Sequence, residues 1–197
     1  MNEFPVFMYG LADGMCVPTA LLNCLTAIFD PFRLPPTAVR TIYRHSLDDP
    51  QARLTSDEAI ERIANEIDRL GCGGSQRGTR FQCTAEYLAG RQVTLEKNGP
   101  IANAIRREGT AMLLLCWPRS VMHAVALLGL DDRYAYFFDS KLRTHYRPKN
   151  GLTFLHTPGF VRGPNLKVDI DHLESDDPTR FYALGPIKDR QAVIFQP

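Results

Sequence analysis

The stretch Asp13-Gly14-Met15-Cys16-Val17-Pro18-Thr19-Ala20-Leu21-Leu22-Asn23-Cys24-Leu25 decides how the rest of the chain is read. Val17, Ala20, Leu21, Cys24, Leu25 and Ile28 recur at the spacing of one helix face, which predicts a buried amphipathic helix. Pro18 falls in the first turn, where its missing N–H costs nothing, and Asp30-Pro31 ends the run near Phe29. Cys16 therefore opens the helix at its positive end. Free N–H groups and the helix dipole favour a thiolate there. A cysteine beside an apolar stripe is also an ordinary packing residue. What separates the two readings is whether a base stands elsewhere in the chain.

The chain has 197 residues, enough for one domain with a real core. A hydrophobic share of 44% with 23% charged residues is that of a soluble globular protein. The net charge of +1 offers no electrostatic case for nucleic acid or an anionic membrane. Met1-Asn2-Glu3-Phe4-Pro5 lacks the basic and apolar regions of a secretory signal. No apolar run approaches the roughly 20 residues of a membrane span. Five cysteines with no CxxC pair argue for a reducing compartment, against a disulfide framework and against a zinc site. The expected location is the cytoplasm, or outside the cell by a route without a cleavable signal.

Working outward from Cys16, Thr37 to His45 predicts a short helix. Ile60, Ile63, Ala64, Ile67 and Leu70 predict a longer one, with a Thr55/Glu58 capping box at its start and Gly71 at its end. Gly71 to Gly78 is glycine-rich but lacks the Lys-Ser/Thr ending of a phosphate loop, and reads as a plain loop. Thr79 to Gly90 reads as a helix and Val93-Thr94-Leu95 as a short strand. Asn98-Gly99-Pro100 opens a helix through Ile105. Beyond Gly109 the pattern turns to strands: Ala111–Trp117, Met122–Leu130 and Tyr134–Asp139, with a hairpin turn at Asp131-Asp132-Arg133. Leu142 to Tyr146 reads as a further strand and 148–180 as loops. Phe181–Leu184 and Ala192–Phe195 read as closing strands. Helices followed by an antiparallel sheet define an α+β class.

His123 begins one apolar strand and Asp139 ends the next. A turn near 131–133 brings them to the same end of adjacent strands, within reach of a hydrogen bond. In that arrangement the carboxylate takes the imidazole Nδ1–H and leaves Nε2 facing a sulfur. The imidazole then draws the thiol proton and leaves a nucleophile at neutral pH. A strand histidine satisfied by a strand-end aspartate, with no thiol nearby, is the structural alternative.

Cys16-Val17-Pro18-Thr19-Ala20-Leu21, with His123-Ala124-Val125 through Gly129 and on to Asp139, resembles the bacteriocin-processing (double-glycine leader) peptidases and their papain-like relatives. The resemblance covers roughly residues 8–140. It implies a papain-like cysteine protease fold, with N-terminal helices packed on an antiparallel sheet in a single domain over 1–197. Residues 141–197 would then form a loop-rich extension with closing strands. It further implies Cys16 as nucleophile, His123 as base and acid, Asp139 as orienter, a peptide or protein substrate, and no metal or organic cofactor. The sequence departs from the family at three points, one of them the long tail after residue 140, which is not part of the shared core. The family carries a glutamine six residues before the nucleophile, where its amide helps build the oxyanion hole; Gly10 stands here, and no Gln occurs before Gln51. Val17 also replaces the usual glycine after the nucleophile. Losing one oxyanion donor costs roughly a hundred- to a thousandfold in rate. The candidates to replace it are the Cys16 N–H, Tyr9 and Asn2.

Trp117 and Met122 are candidate walls of a substrate cleft, with a core role equally open for Trp117. Cys24 and Cys116 read as packing residues. The expected function is a cysteine-dependent peptidase or amidase working through an acyl-enzyme. An acyl- or peptidyl-transferase on the same triad, and a weak or inactive peptide-binding module, are the alternatives.

Overall fold

The periodic run after Cys16 forms helix α1 (Cys16–Ile28) in a computed structural model that describes residues 14–29, 34–48, 54–72, 81–117, 121–141, 151–155 and 163–197. Leu21, Leu22 and Leu25 are fully buried. Each stabilises the fold by roughly 1.5–3 kcal/mol through the apolar area it removes from water. The helices α2 (Pro36–His45) and α3 (Asp57–Cys72) follow, then strand β1 (Thr84–Ala89), helix α4 (Pro100–Arg106) and the strands β2 (Thr110–Trp117), β3 (Val121–Leu130) and β4 (Tyr134–Phe138). The chain continues through β5 (Leu152–Phe154), β6 (Leu166–Asp169), the short α5 (Ile170–Leu173) and β7 (Gln191–Gln196). The class is mixed α+β, with an antiparallel sheet and helices.

Among the described residues seven strands form one sheet in the order β1-β7-β2-β3-β4-β6-β5, and each described pairing is antiparallel. Strand alternation divides the core in two. Met112, Leu114, Ala124, Ala126, Phe138 and Val193 face α1, α2 and α3. Leu113, Leu115, Val125, Leu127, Phe137 and Ile194 face the opposite way, toward Ile101 and Ala104 of α4 and Leu173 and Tyr182 from the C-terminal part of the chain. Continuously apolar strands such as β2 are what a sheet covered on both faces requires.

Several expectations are corrected. Residues 84–89 form strand β1, not a helix. Ala, Glu and Leu are good helix formers, but this segment pairs along its whole length with β7, more than 100 residues later. Val93-Thr94-Leu95 is not a strand; it follows a single 3-10 turn at Gly90–Gln92, and Glu174 holds it by accepting from the Leu95 N–H and the Thr94 hydroxyl. The 148–180 region contains β5, β6 and α5. Phe181–Leu184 is a turn rather than a strand, although Tyr182 N–H donates to Cys116 O and Cys116 N–H to Ala183 O. The cap of α3 is Ser56, whose hydroxyl accepts from Ala59 N–H; Thr55 instead accepts from Leu47 N–H. The predicted strand at 142–146 and most of the glycine-rich loop lie outside the described residues. The closing strand at 192–195 does form, and as β7 it sits inside the sheet between β1 and β2.

Gly71, expected to end α3, lies within that helix. A Cβ there would stand 1.8 Å from the carbonyl oxygen of Cys83. The helix crosses the entry to β1 so closely that only glycine fits. Gly71→Ala must move backbone rather than a flexible side chain, and should lower stability by about 3 kcal/mol. Denaturant unfolding checks this, and a change within about 0.5 kcal/mol, the range of an ordinary surface substitution, contradicts the packing.

Candidate active site

Cys16 is the first residue of α1 and is only partly exposed. No side chain caps this helix and no acidic residue lies in its first turn. A negative sulfur therefore supplies what the helix start otherwise lacks. The Val17 N–H donates to that sulfur from the helix itself.

The second contribution comes from β3. The rungs between β3 and β4 end at Ala126↔Phe138. Two residues beyond, the Ala124 N–H donates to the Cys16 sulfur. The sulfur thus lies against the β3 backbone, approaching from the face that α1 covers. His123 shares the parity of Val125 and Leu127, so its side chain leaves on the other face. Continuing the register past Phe138 sets Asp139 opposite Val125, a diagonal neighbour of His123 on that same face. His123 Nε2–H donates to Asp139 Oδ1 at 2.8 Å, and the pair is buried, with His123 4% and Asp139 2% exposed.

The expected use of the two ring nitrogens is reversed. Nε2, not Nδ1, is engaged by Asp139, which leaves Nδ1 for the hydrogen bond between His123 and Cys16. The reason is geometric. The sulfur hugs the β3 backbone, so it meets the ring nitrogen nearest the chain. The carboxylate lies one strand away, so it meets the far one.

Electrostatics follow from this packing. Burial works to raise the Cys16 thiol, but the hydrogen bond and charge of His123, with the Ala124 and Val17 N–H groups, bring it below its ordinary value of 9.0. Burial works to lower the His123 imidazole, but its hydrogen bonds to Asp139 and Cys16, together with their charges, lift it above 6.5. The two shifts favour a thiolate–imidazolium pair. Cys24, Cys83 and Cys116 go the other way: burial raises all three, Cys83 to about 12.

Sequence reasoning missed the residues that hold Asp139. Its Oδ1 also accepts from the Lys141 N–H at 2.9 Å, and its Oδ2 accepts from the Tyr182 hydroxyl. The Asn165 carboxamide clamps its backbone, accepting from the Asp139 N–H and donating to the Asp139 carbonyl, each at 2.8 Å. Asn165 and Tyr182 lie 26 and 43 residues away, so no local spacing announces them. Tyr182 is fully buried and adopts φ +61°, a conformation costly for a tyrosine. Its N–H bond to Cys116 O, the adjacent bond from Cys116 N–H to Ala183 O, and its ring contacts with Trp117 and Phe181 hold it there.

Trp117 stands 4.4 Å from the His123 ring, centroid to centroid, with the Lys141 ammonium 4.4 Å over its own ring. It covers the imidazole. Met122 lines a cleft of about 460 Å³ beside Cys16, together with Val17, Leu114 and Cys116. Gly14, Leu54, Thr55, Pro186, Asp189 and Gln191 are also among its lining residues. Tyr9 and Asn2 lie outside the described residues. Among the described residues no group of three or more His, Cys, Asp or Glu is placed to hold a metal ion, and no helix is long and apolar enough to cross a membrane.

A scan against protein-family models and a search of curated proteins match nothing to this chain.

Two measurements check the site. His123→Ala removes the two strongest influences lowering the Cys16 thiol and leaves burial opposed by backbone N–H groups, so the thiol should titrate higher than in the parent. The pH dependence of Cys16 alkylation, read by mass spectrometry, reports this; an unmoved profile contradicts the contact. Tyr182→Phe keeps the ring but leaves Asp139 Oδ2 without that donor, and should cost about 1–3 kcal/mol in denaturant unfolding.

Proposed function

We propose that this protein is a cysteine-dependent hydrolase, a peptidase or amidase, with a papain-like fold and an affinity to the bacteriocin-processing peptidases. The observation that carries the proposal is one contiguous relay. A helix-opening thiol is hydrogen-bonded to an imidazole, which is bonded to a buried carboxylate, and this thiol is lowered where three other cysteines are raised. A merely packed cysteine has no use for that combination.

In the proposed reaction the Cys16 thiolate attacks the carbonyl carbon of an amide, forming a C–S bond and a tetrahedral oxyanion. The imidazolium of His123 passes its Nδ1 proton to the departing amine as the C–N bond breaks. The product is a thioester on Cys16. Water then attacks it, His123 takes a proton from the water, and the C–S bond breaks to release the acid and restore the thiolate. Asp139 keeps the ring oriented and stabilises its positive form in both halves. At the start of α1 the Cys16 N–H is the donor offered to the oxyanion, since the Val17 N–H serves the sulfur, Pro18 has none and the Thr19 N–H donates to Met15 O.

The pH dependence has a definite sign. The thiolate is lost as pH falls through the lowered Cys16 value, and the imidazolium is lost as pH rises through the raised His123 value. Turnover should therefore be bell-shaped, with its acid limb below 9.0 and its alkaline limb above 6.5. Cleavage of a denatured-protein peptide library tests the proposal. The parent should generate new termini, and Cys16→Ala, folded as judged by circular dichroism, should generate none. A Cys16→Ala variant that retains the parent's cleavage ends the reading.

A further inference from the structure

Gln191 opens β7 and lines the cleft beside Cys16, yet it is only 7% exposed. Its Oε1 is buried without a hydrogen-bond partner among the described residues. Native proteins rarely leave a buried carboxamide oxygen unmade, because it has given up water and received nothing in return. The residues around it do not explain the exception. Arg190, immediately before it, is engaged elsewhere: its guanidinium donates to Gly185 O, Val93 O, Glu174 O and Glu174 Oε2. That network anchors the chain into β7 and fixes where Gln191 begins. The last rung described between β7 and β2 is Ala192↔Leu113, so Gln191, still paired with Ala89 of β1, lies one residue past the β2 rungs, across from the cleft-lining Leu114.

We propose that Gln191 is a specificity-determining residue that pairs with an amide group of the substrate. This deepens the hydrolase reading and rests on it. A carboxamide both accepts and donates, and its terminal torsion is soft, so one side chain can accept a substrate N–H and donate to a substrate C=O. The rest of the cleft narrows the class. Leu54 lines it and is 42% exposed, and Ile187 is 46% exposed between the cleft residues Pro186 and Lys188. The occupant that satisfies both features is a peptide with an aliphatic side chain next to an unmodified amide. An ester or an N-alkylated amide has no N–H to offer and leaves the Gln191 Oε1 unpaired.

The test labels Cys16 with two covalent probes and one control. Iodoacetyl-leucine N-methylamide carries the amide N–H groups and an aliphatic side chain. Its fully N-methylated analogue keeps the carbonyls and loses the N–H groups. Methyl methanethiosulfonate carries no amide and reports thiolate reactivity alone. Labelling rates are measured on the full chain with the native sequence, Gln191→Leu and Gln191→Glu. Gln191→Leu replaces an unpartnered buried amide with an apolar group of similar size, so its melting temperature should equal or exceed the parent's. The native protein should prefer the N–H probe over its methylated analogue by about tenfold, and Gln191→Leu should abolish that preference while methanethiosulfonate reacts at the parent rate. Gln191→Glu, which keeps the acceptor, should retain part of the preference. A native protein without preference, or a preference that survives in Gln191→Leu, overturns the assignment while fast methanethiosulfonate labelling leaves the reactive thiol standing. Slow labelling of native Cys16 by methanethiosulfonate overturns the thiolate reading and the assignment together.

Discussion

The hydrogen bond from His123 Nε2 to Asp139 Oδ1 is the contact on which the rest of the site depends. A buried imidazole next to a thiol gains nothing from water, and burial alone pushes both groups toward their neutral forms. The carboxylate reverses this. It stabilises a positive ring, and the positive ring in turn stabilises a negative sulfur. Asp139 can do so because its own charge is shared among donors: the imidazole, the Lys141 N–H and the Tyr182 hydroxyl. The stabilisation of charge thus runs outward from the C-terminal part of the chain to the first described helix.

That direction explains the architecture. β7, the last described strand, is inserted between β1 and β2, so a late segment of the chain joins β1 to the rest of the sheet. The segment leading into it carries Asn165, Tyr182 and the Glu174–Arg190 ion pair, at 2.8 Å. Tyr182 is held in an unfavourable backbone conformation by contacts on both sides. Strain maintained in that way marks a position whose geometry is set by its neighbours rather than by its own preference. Here the result is a hydroxyl delivered to the back of Asp139. The part of the chain beyond residue 140, which reads in sequence as loops and closing strands, therefore completes both the sheet and the support of the carboxylate.

The contrast among the cysteines shows how environment assigns chemistry to identical groups. Cys24 lies about two turns along α1 from Cys16 and is entirely buried, and the Thr110 hydroxyl beside it does not outweigh the loss of water. Cys116 borders the same cleft as Cys16, yet burial raises it. Only at the helix start do a cation and backbone N–H groups from two elements converge on the sulfur. Position in the helix supplies one part of this and the β3 edge supplies the other.

Elements with a strong local signature were legible in the sequence. The periodicity after Cys16, the apolar run of β2 and the Asp131-Asp132-Arg133 turn each express a preference that operates within a few residues, and that turn is what brings His123 and Asp139 together. Strand β1 was not legible, because its helix-forming residues were overruled by pairing with β7. Tyr182 and Asn165 carried no signal, since a side chain that reaches Asp139 from far along the chain leaves no trace in spacing. The choice between the two nitrogens of His123 was also undetermined by order alone. It was decided by the sulfur's approach along the β3 backbone, and a distance of that kind exists only once the chain has folded.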